Sequence, residues 1–520
     1  MGTFIYALFI LFLLTTSVFA VSRNFMDMFV ETKWYATLTI VIAGVACAAI
    51  YMLFHPSRPC RTGKTDIFEL SVVTVSTSQA VFFLMQHSGI CSGYGPYTSG
   101  SFENTAGLAS CVCFSLPLGW RWLTSFRQKR MTVCRRIAVS AFLLCKIVGA
   151  VAVGCSGSRT GLLCMTIMLG TYLLRGKKKA MLMVAPTAVA VALVLMFAVK
   201  TDSSRGRWFI IQRTLELIAR RPFTGWGNGG FDARYMDVQA DYFAANPESG
   251  YVMLADNVRH PLNEFLLVTV NYGLVGLAVV LAALGFIIAH YLRHRSENGF
   301  TGMMVMTAIT TFALFSYPFL YPFTWLMAVF AVVCIVKTRL PFRRTVCLAS
   351  LAITVSAAWM IVERMKMSVE FCRLQDKARY SRARRMLPDY GRLYPRMKTD
   401  YRFLYNYAAM LYDAGHYDDA LRAVGECSIL LADYDISLLR GDILREQNNH
   451  DTAIAAYRRA HLMCPNRFIP LYEMARIYEG TGRRKEAKTV AEVIVGMDVK
   501  VPSREVEEIK SEMKRIVCGR

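Results

Sequence analysis

Long apolar runs fill the first two thirds of the chain, and short polar stretches separate them. An apolar run of about 17–25 residues can cross a bilayer as a helix. Two runs, 160–174 and 321–336, lie at the short end of that range. The pattern predicts an all-α membrane bundle of about eleven spans. The runs lie at about 2–21, 34–54, 66–85, 105–122, 137–154, 160–174, 180–199, 262–291, 301–317, 321–336 and 345–362.

The first run ends with Ser17, Val18, Phe19 and Ala20, which resembles a signal-peptide cleavage site. It lacks the basic segment that precedes the apolar part of a signal peptide. We therefore favour a retained span. Either reading leaves the following loop outside the cytoplasm.

The pattern changes near residue 363, where charged residues become dense. We expect a transmembrane domain at 1–363, with a large outer loop at 200–261, and a separate helical domain at 364–520. Three segments of the tail recur at spacings of 33 and 34 residues, and three small residues upstream keep the same spacing. The segments are 414–420, 447–453 and 481–487, and the small residues are Ala408, Gly441 and Ala475.

This period resembles the tetratricopeptide repeat, which would cover about 401–500, with a degenerate helix pair at 370–395. The small residues are expected where paired helices touch, since a larger side chain has no room there. The resemblance implies an α-solenoid whose concave face binds a protein partner. A purely structural or dimerising stack is the alternative.

Basic residues alternate between loops and thereby indicate orientation. The basic loops are 58–64, 121–136, 175–179, 293–295 and 337–344, and the nearly bare loops are 22–33, 87–104, 155–159 and 317–321. The positive-inside rule makes the basic loops cytoplasmic. An odd number of spans then places loop 200–261 and the tail on the periplasmic side of a bacterial inner membrane.

The net charge of +23 would also suit nucleic-acid binding. Much of the excess lies in the short loops just described, and no nucleic-acid motif accompanies it. We expect no nucleic-acid partner.

Metal and cofactor signatures are missing from the sequence. Most of the 15 cysteines lie inside apolar runs, without the paired spacing of a zinc site. Residues 225–230 match G-x-G-x-x-G by letter, but they follow Arg221 and Pro222 rather than a buried strand. We interpret them as a glycine-rich turn, and we expect chemistry without a metal or cofactor.

The remaining polar motifs gather at outer span ends. They are 100–105, 156–161, 204–208, 220–227 and 259–266. In this order they resemble the O-antigen ligase/polymerase superfamily, which includes lipopolysaccharide O-antigen ligases, O-antigen polymerases and protein O-oligosaccharyltransferases. The resemblance covers about 100–290. Many members have His directly before the Asn, where this chain has Leu262, and its own histidine is His260.

The resemblance implies transfer of a glycan from undecaprenyl diphosphate to a lipid or protein acceptor. A departing diphosphate suits arginine, whose planar fork is permanently charged. An acceptor hydroxyl needs a base, and histidine titrates nearest to neutral pH. The expected catalytic residues are His260, Arg207 and Arg159, and the expected substrate-binding residues are Arg205, Arg259, Asn263 and Glu264.

Each of these residues also has a possible non-catalytic role. An arginine at a span end also anchors lipid headgroups, and Glu264 near the start of a span needs a partner. Lys146, inside a span, is either functional or part of a buried structural pair. We interpret the 317–321 hairpin as part of an aromatic interface belt.

Rival functions remain open. An O-antigen-type polymerase or a protein O-oligosaccharyltransferase would share the same chemistry. A polysaccharide transporter or flippase would place ionisable groups at the bilayer midplane and would show repeated halves. A non-catalytic scaffold would use the tail alone.

Overall fold

The computed structural model describes residues 2–54, 65–93, 98–119, 132–173, 201–336 and 344–518. Within these ranges the chain forms α-helices and two short 3-10 turns, and it contains no strand. The all-α prediction is confirmed for this part of the chain. The expected span at 180–199 lies outside the described residues.

Among the described residues, six helices precede the large loop. They are α1 (Gly2–Phe19), α2 (Val30–Phe54), α3 (Thr65–His87), α4 (Thr105–Ser115), α5 (Val133–Cys155) and α6 (Arg159–Leu173). The loop itself is helical and holds α7 (Thr201–Arg220) and α8 (Gly230–Ala245). Four apolar helices follow: α9 (Glu264–Arg293), α10 (Glu297–Phe315), α11 (Pro322–Val336) and α12 (Arg344–Ala378).

Six of these helices are long and apolar enough to cross a membrane: α2, α3, the part of α5 from Arg136, α9, α10, and α12 from Thr345. Three shorter apolar helices are α4, α11 and most of α1. The protein is therefore a multi-pass membrane protein. The count of about eleven spans stays a prediction.

The tail consists of helices joined by short turns. They are α13 (Ala383–Met397), α14 (Tyr401–Asp413), α15 (Tyr417–Leu430), α16 (Tyr434–Glu446), α17 (His450–Met463), α18 (Ile469–Gly480), α19 (Arg484–Gly496) and α20 (Arg504–Val517). The recurring segments fall on the turns inside the pairs α14–α15, α16–α17 and α18–α19. The second residue of each turn, Gly415, Asn448 or Gly482, has a positive φ, which glycine and asparagine adopt most readily.

The predicted small residues also lie where helices touch. Ala408 and Ala475 are fully buried. A Cβ on Gly441 would meet the Tyr457 ring at 2.5 Å, so α16 and α17 approach too closely for a larger residue. The predicted helix pairs are confirmed, and their assignment to the tetratricopeptide family stays a prediction.

The chain divides into two compact units. The membrane unit contains Met1–Met196, Leu262–Glu264 and Val280–Cys372, and the loop-repeat unit contains Phe197–Pro261, Phe265–Val279 and Arg373–Arg520. This division differs from the expected one, because the large loop packs with the tail. The composition change at residue 363 lies inside the single helix α12, and the boundary comes only after Cys372.

Candidate active site

Helix α9 is interrupted at Gly273, whose φ of 67° and ψ of −169° are not helical. The segment 222–227 fills the break with four backbone hydrogen bonds. The amides of Trp226 and Gly227 donate to the carbonyls of Val270 (2.9 Å) and Asn271 (2.8 Å), and the amides of Leu274 and Val275 donate to Pro222 (2.7 Å) and Phe223 (3.3 Å). Backbone groups that the break removes from the helix are thus satisfied by the loop.

Two glycines make this interlock possible. A Cβ on Gly273 would lie 2.0 Å from the carbonyl oxygen of Phe223, and a Cβ on Gly225 would lie 2.6 Å from the Asn271 backbone. Gly225, Gly227 and Gly229 all have positive φ. The predicted glycine-rich turn is confirmed, and its role is to lock the loop into the broken helix.

Arg205 and Arg207 both lie on α7, near its start. Residues two apart on a helix point about 200° away from each other, so the two guanidinium groups leave α7 on different faces. Arg205 donates to the Gly250 carbonyl (3.4 Å), and its guanidinium lies 5.9 Å from the centre of the Tyr251 ring. It also forms a long ion pair with Asp202, at 4.0 Å, and its side chain is 54% exposed.

Arg259 is engaged differently. Its Nη2 donates to Oδ2 of Asp433 at 2.8 Å, and its guanidinium lies 5.2 Å from the Tyr401 ring. Asp433 is only 2% exposed, so this carboxylate needs a compensating charge. The positive charge of Arg259, which the sequence analysis assigns to a diphosphate, is therefore already balanced by a carboxylate of the tail.

His260 is half-buried and directly follows Arg259. Burial lowers the pKa of His260 to about 4, because the charged imidazolium is poorly solvated there. The side chain is therefore neutral at pH 7 and able to accept a proton. Burial thus moves the pKa away from the near-neutral value of a solvated histidine, and burial is not visible in the residue type.

The next residues belong to the membrane unit. Asn263 donates from Nδ2 to the Leu314 carbonyl (3.0 Å), and Glu264 accepts from the Phe319 amide (3.2 Å). Leu262 has a φ of 56°, a conformation that costs a non-glycine residue about 1–3 kcal/mol. The backbone is thus sharply bent at the position where many members of the resembling family carry histidine.

Arg159 is the first residue of α6. The preceding turn is tied down by the Gly161 amide, which donates to Ser158 Oγ (3.2 Å), and by the Ser158 amide, which donates to Ser156 Oγ (3.3 Å). The start of a helix presents unpaired amides and a partial positive charge. An arginine at this position suits an anionic phosphate.

A family model described as O-Antigen ligase matches residues 143–281. The chain carries an O-antigen ligase domain. No curated protein matches the chain. The O-antigen ligase domain runs from within α5 into α9, so it contains the helix break and every site residue that the sequence predicts. The match supports a membrane glycosyltransferase of the O-antigen ligase/polymerase type.

Within the O-antigen ligase domain, the structure separates the predicted residues into two sets. Arg205, Arg207, Arg259 and His260 belong to the loop-repeat unit, and Arg159, Asn263 and Glu264 belong to the membrane unit. In the described part of the chain, no group of three His, Cys, Asp or Glu residues could hold a metal ion.

A polar network that the sequence did not predict lies outside the O-antigen ligase domain, in the membrane unit. Asn104 Nδ2 donates to the hydroxyls of Tyr317 (2.9 Å) and Tyr321 (3.2 Å), and the Tyr321 hydroxyl donates to Glu103 (3.3 Å). Burial raises the pKa of Glu103. The 317–321 hairpin is more than an aromatic belt, because Tyr321 is buried. The signal available was the polar block at 100–105, which was not linked to these tyrosines.

Lys146 donates to the Ser115 carbonyl, and its Nζ lies 4.7 Å from the centre of the Phe142 ring. These contacts fit a structural role, since they satisfy the ammonium inside the helical bundle.

Proposed function

We propose that the protein is an O-antigen ligase-like transferase. It moves a glycan from an undecaprenyl-diphosphate carrier to an acceptor at the periplasmic face of the bacterial inner membrane. The observation that carries the proposal is His260. It is a half-buried imidazole inside the O-antigen ligase domain, at the end of a loop that also contains arginines.

In the proposed reaction, an acceptor hydroxyl transfers its proton to His260 while its oxygen attacks the anomeric carbon of the donor glycan. The bond between that carbon and the phosphate oxygen breaks, and undecaprenyl diphosphate leaves with the electron pair. The imidazolium then releases its proton to water. Each turnover yields one glycosylated acceptor and one free carrier.

Arginines stabilise the negative charge that develops on the leaving diphosphate. Arg207 on α7 and Arg159 at the start of α6 are the proposed catalytic arginines, and Arg205 assists in binding the donor. Removing one such group typically costs about 2.7–4 kcal/mol in the transition state. Asn263 and Glu264 are proposed to position the acceptor. Arg259 is the weakest candidate for diphosphate binding, because it already faces the Asp433 carboxylate.

The test uses purified full-length protein in lipid nanodiscs with an undecaprenyl-diphosphate glycan and measures the released carrier. Lipid A, a second lipid-linked glycan and an acceptor protein are supplied in separate reactions. Product with the first indicates a ligase, with the second a polymerase, and with the third a protein oligosaccharyltransferase. If no carrier is released with any of the three acceptors, an enzymatic role is contradicted and a transporter or scaffold is favoured.

The decisive variant is His260→Gln, which we expect to slow transfer by about 10²–10⁴-fold. His461→Gln is the matched control, because His461 is also half-buried in the loop-repeat unit and burial lowers its pKa to about 4 as well. Equal rates for the two variants would rule out His260 as the base.

A further inference from the structure

One face of the helical tail, formed by α17 and the residues next to it, already packs against another part of the chain. The Gln239 side chain on α8 donates to the Met463 carbonyl (2.7 Å), and Arg459 on α17 pairs with Asp237 (2.7 Å) and Asp241 (2.8 Å) of α8. Phe231, Tyr235 and Met236 of α8 share one apolar cluster with Ala460, Met463 and Cys464 of the tail. A segment of the O-antigen ligase domain thus packs directly against the tail.

The segment after α8 is held as well. Asn466 Nδ2 donates to the carbonyls of Ala255 (2.7 Å) and Val252 (3.0 Å), and Arg467 pairs with Asp256 (3.3 Å). The tail therefore contacts the O-antigen ligase domain from α8 to Asp256, four residues before His260.

Asp433 accepts the hydrogen bonds that lie nearest to His260 along the chain. Its Oδ1 accepts from the Asp435 amide (2.8 Å) and so caps the start of α16. Its Oδ2 accepts from Asn257 Nδ2 and from Arg259 Nη2, both at 2.8 Å. A buried carboxylate is stable only when donors and a positive charge surround it. Displacing either Asn257 or Arg259 would therefore leave the buried carboxylate without one of its donors, at a cost in free energy.

We propose that Asp433 is a positioning residue for the transfer reaction: through Asn257 and Arg259 it fixes the segment that carries His260. The proposal rests on the function proposed above, and it makes the helical tail an internal part of the transferase. Asp433 itself touches no substrate.

The physical basis is chain geometry. Asn257 and Arg259 lie on either side of Val258, and His260 follows immediately. Two side chains anchored on one rigid carboxylate leave the backbone between them little freedom. Because a base must lie within hydrogen-bond reach of the proton that it takes, a small displacement of this segment slows transfer.

The test compares Asp433→Asn with Asp442→Asn. Asparagine at 433 keeps an oxygen for the helix cap and removes the charge that Arg259 faces. Asp442 lies on α16 too, accepts from the Tyr457 hydroxyl (2.6 Å) and pairs with Arg445 (3.8 Å), so its replacement removes a similar carboxylate within the tail. Amide hydrogen exchange of residues 252–260 and the kcat and KM for transfer are measured for both variants.

For Asp433→Asn we expect exchange in 252–260 to rise at least tenfold and kcat to fall at least tenfold, whereas Asp442→Asn changes neither. For Asp433→Asn we also expect the acid limb of the kcat/KM profile to move upward toward pH 6.5. Once its segment is released, His260 is better solvated, and its pKa rises toward the ordinary value. Unchanged exchange in Asp433→Asn overturns the proposal. Faster exchange with a wild-type kcat overturns it too.

Asn257→Ala serves if Asp433→Asn does not fold, because it removes one donor on the loop side and leaves the cap of α16 intact. Faster exchange in 252–260 with a lower kcat again supports the proposal, and wild-type values for both overturn it. A wild-type protein that transfers no glycan contradicts the proposed function alone, because the exchange measurement still decides whether Asp433 fixes the segment.

Discussion

Arg205 and Arg259 belong to the same O-antigen ligase domain and to the same compact unit, yet they occupy different electrostatic surroundings. Arg259 faces a buried carboxylate at 2.8 Å, and it also opposes the rise in the pKa of the nearby Asp232. Arg205, on the first turns of α7 together with Arg207, is 54% exposed and faces the exposed carboxylate of Asp202 at 4.0 Å.

The difference teaches that an arginine's role depends on the anion that it meets in the fold. When a guanidinium is paired with a buried carboxylate, most of its positive potential is neutralised and little remains to attract a substrate. Its main effect is then to hold the chain in place. Four tests follow, in order of decreasing expected effect.

The largest effect is expected for Arg207→Ala, which should lower kcat by about 10²–10³-fold. Chemical denaturation of the variant checks that the loss of kcat does not come from unfolding. Arg220→Ala, at the other end of α7, is the control, because it removes only exposed ion pairs to Glu216 and Asp241. Wild-type kcat in Arg207→Ala would remove this arginine from the reaction.

Arg259→Ala should act mainly on stability. It leaves Asp433 buried without its cation, and we expect a loss of about 3 kcal/mol in the free energy of unfolding. Chemical denaturation measures this loss. The double variant with Asp433→Asn should recover part of it, because no buried charge remains. A fully additive double variant would show that the two residues are not coupled.

The pH profile sharpens the comparison at His260. Its pKa is lowered to about 4, so the base is already neutral at pH 5, and kcat/KM should be flat between pH 5 and pH 7. An ordinary histidine with a pKa near 6.5 would lose roughly 30-fold in kcat/KM at pH 5. The same lowered pKa makes stability fall as pH drops from 6.5 to 4, because the unfolded chain binds the proton first.

The smallest effect is expected for Asp232→Asn. Burial raises the pKa of Asp232 to about 6, although Arg259 opposes this shift, so the folded protein is penalised for ionising it. Replacing the carboxyl should stabilise the protein by about 1–2 kcal/mol above pH 6. The gain should shrink as pH falls from 6 to 3.8 and vanish below. Thermal unfolding at several pH values checks this, and a gain that is constant with pH would contradict it.

Local features of the tail could be predicted from the sequence. Gly415, Asn448 and Gly482 recur with the repeat because each occupies the same left-handed turn position. Gly441 was expected at a helix contact, and it lies against Tyr457. Such positions depend on neighbours within one or two helices, which a periodic pattern records.

Long-range contacts could not be predicted in this way. Asp433 and Arg259 are 174 positions apart, and nothing at either position indicates the other. The pKa of His260 depends on burial by residues that the local sequence does not identify. The sequence therefore predicts which residue types carry the chemistry, and the fold shows that Arg259 is paired with Asp433.

The interruption of α9 at Gly273 also has a mechanical consequence. A straight α9 would require the four backbone hydrogen bonds to segment 222–227 to separate together. The first turns of α9 and that segment are therefore expected to move together. Any tilt of those turns is passed directly to the chain that connects α7 with α8.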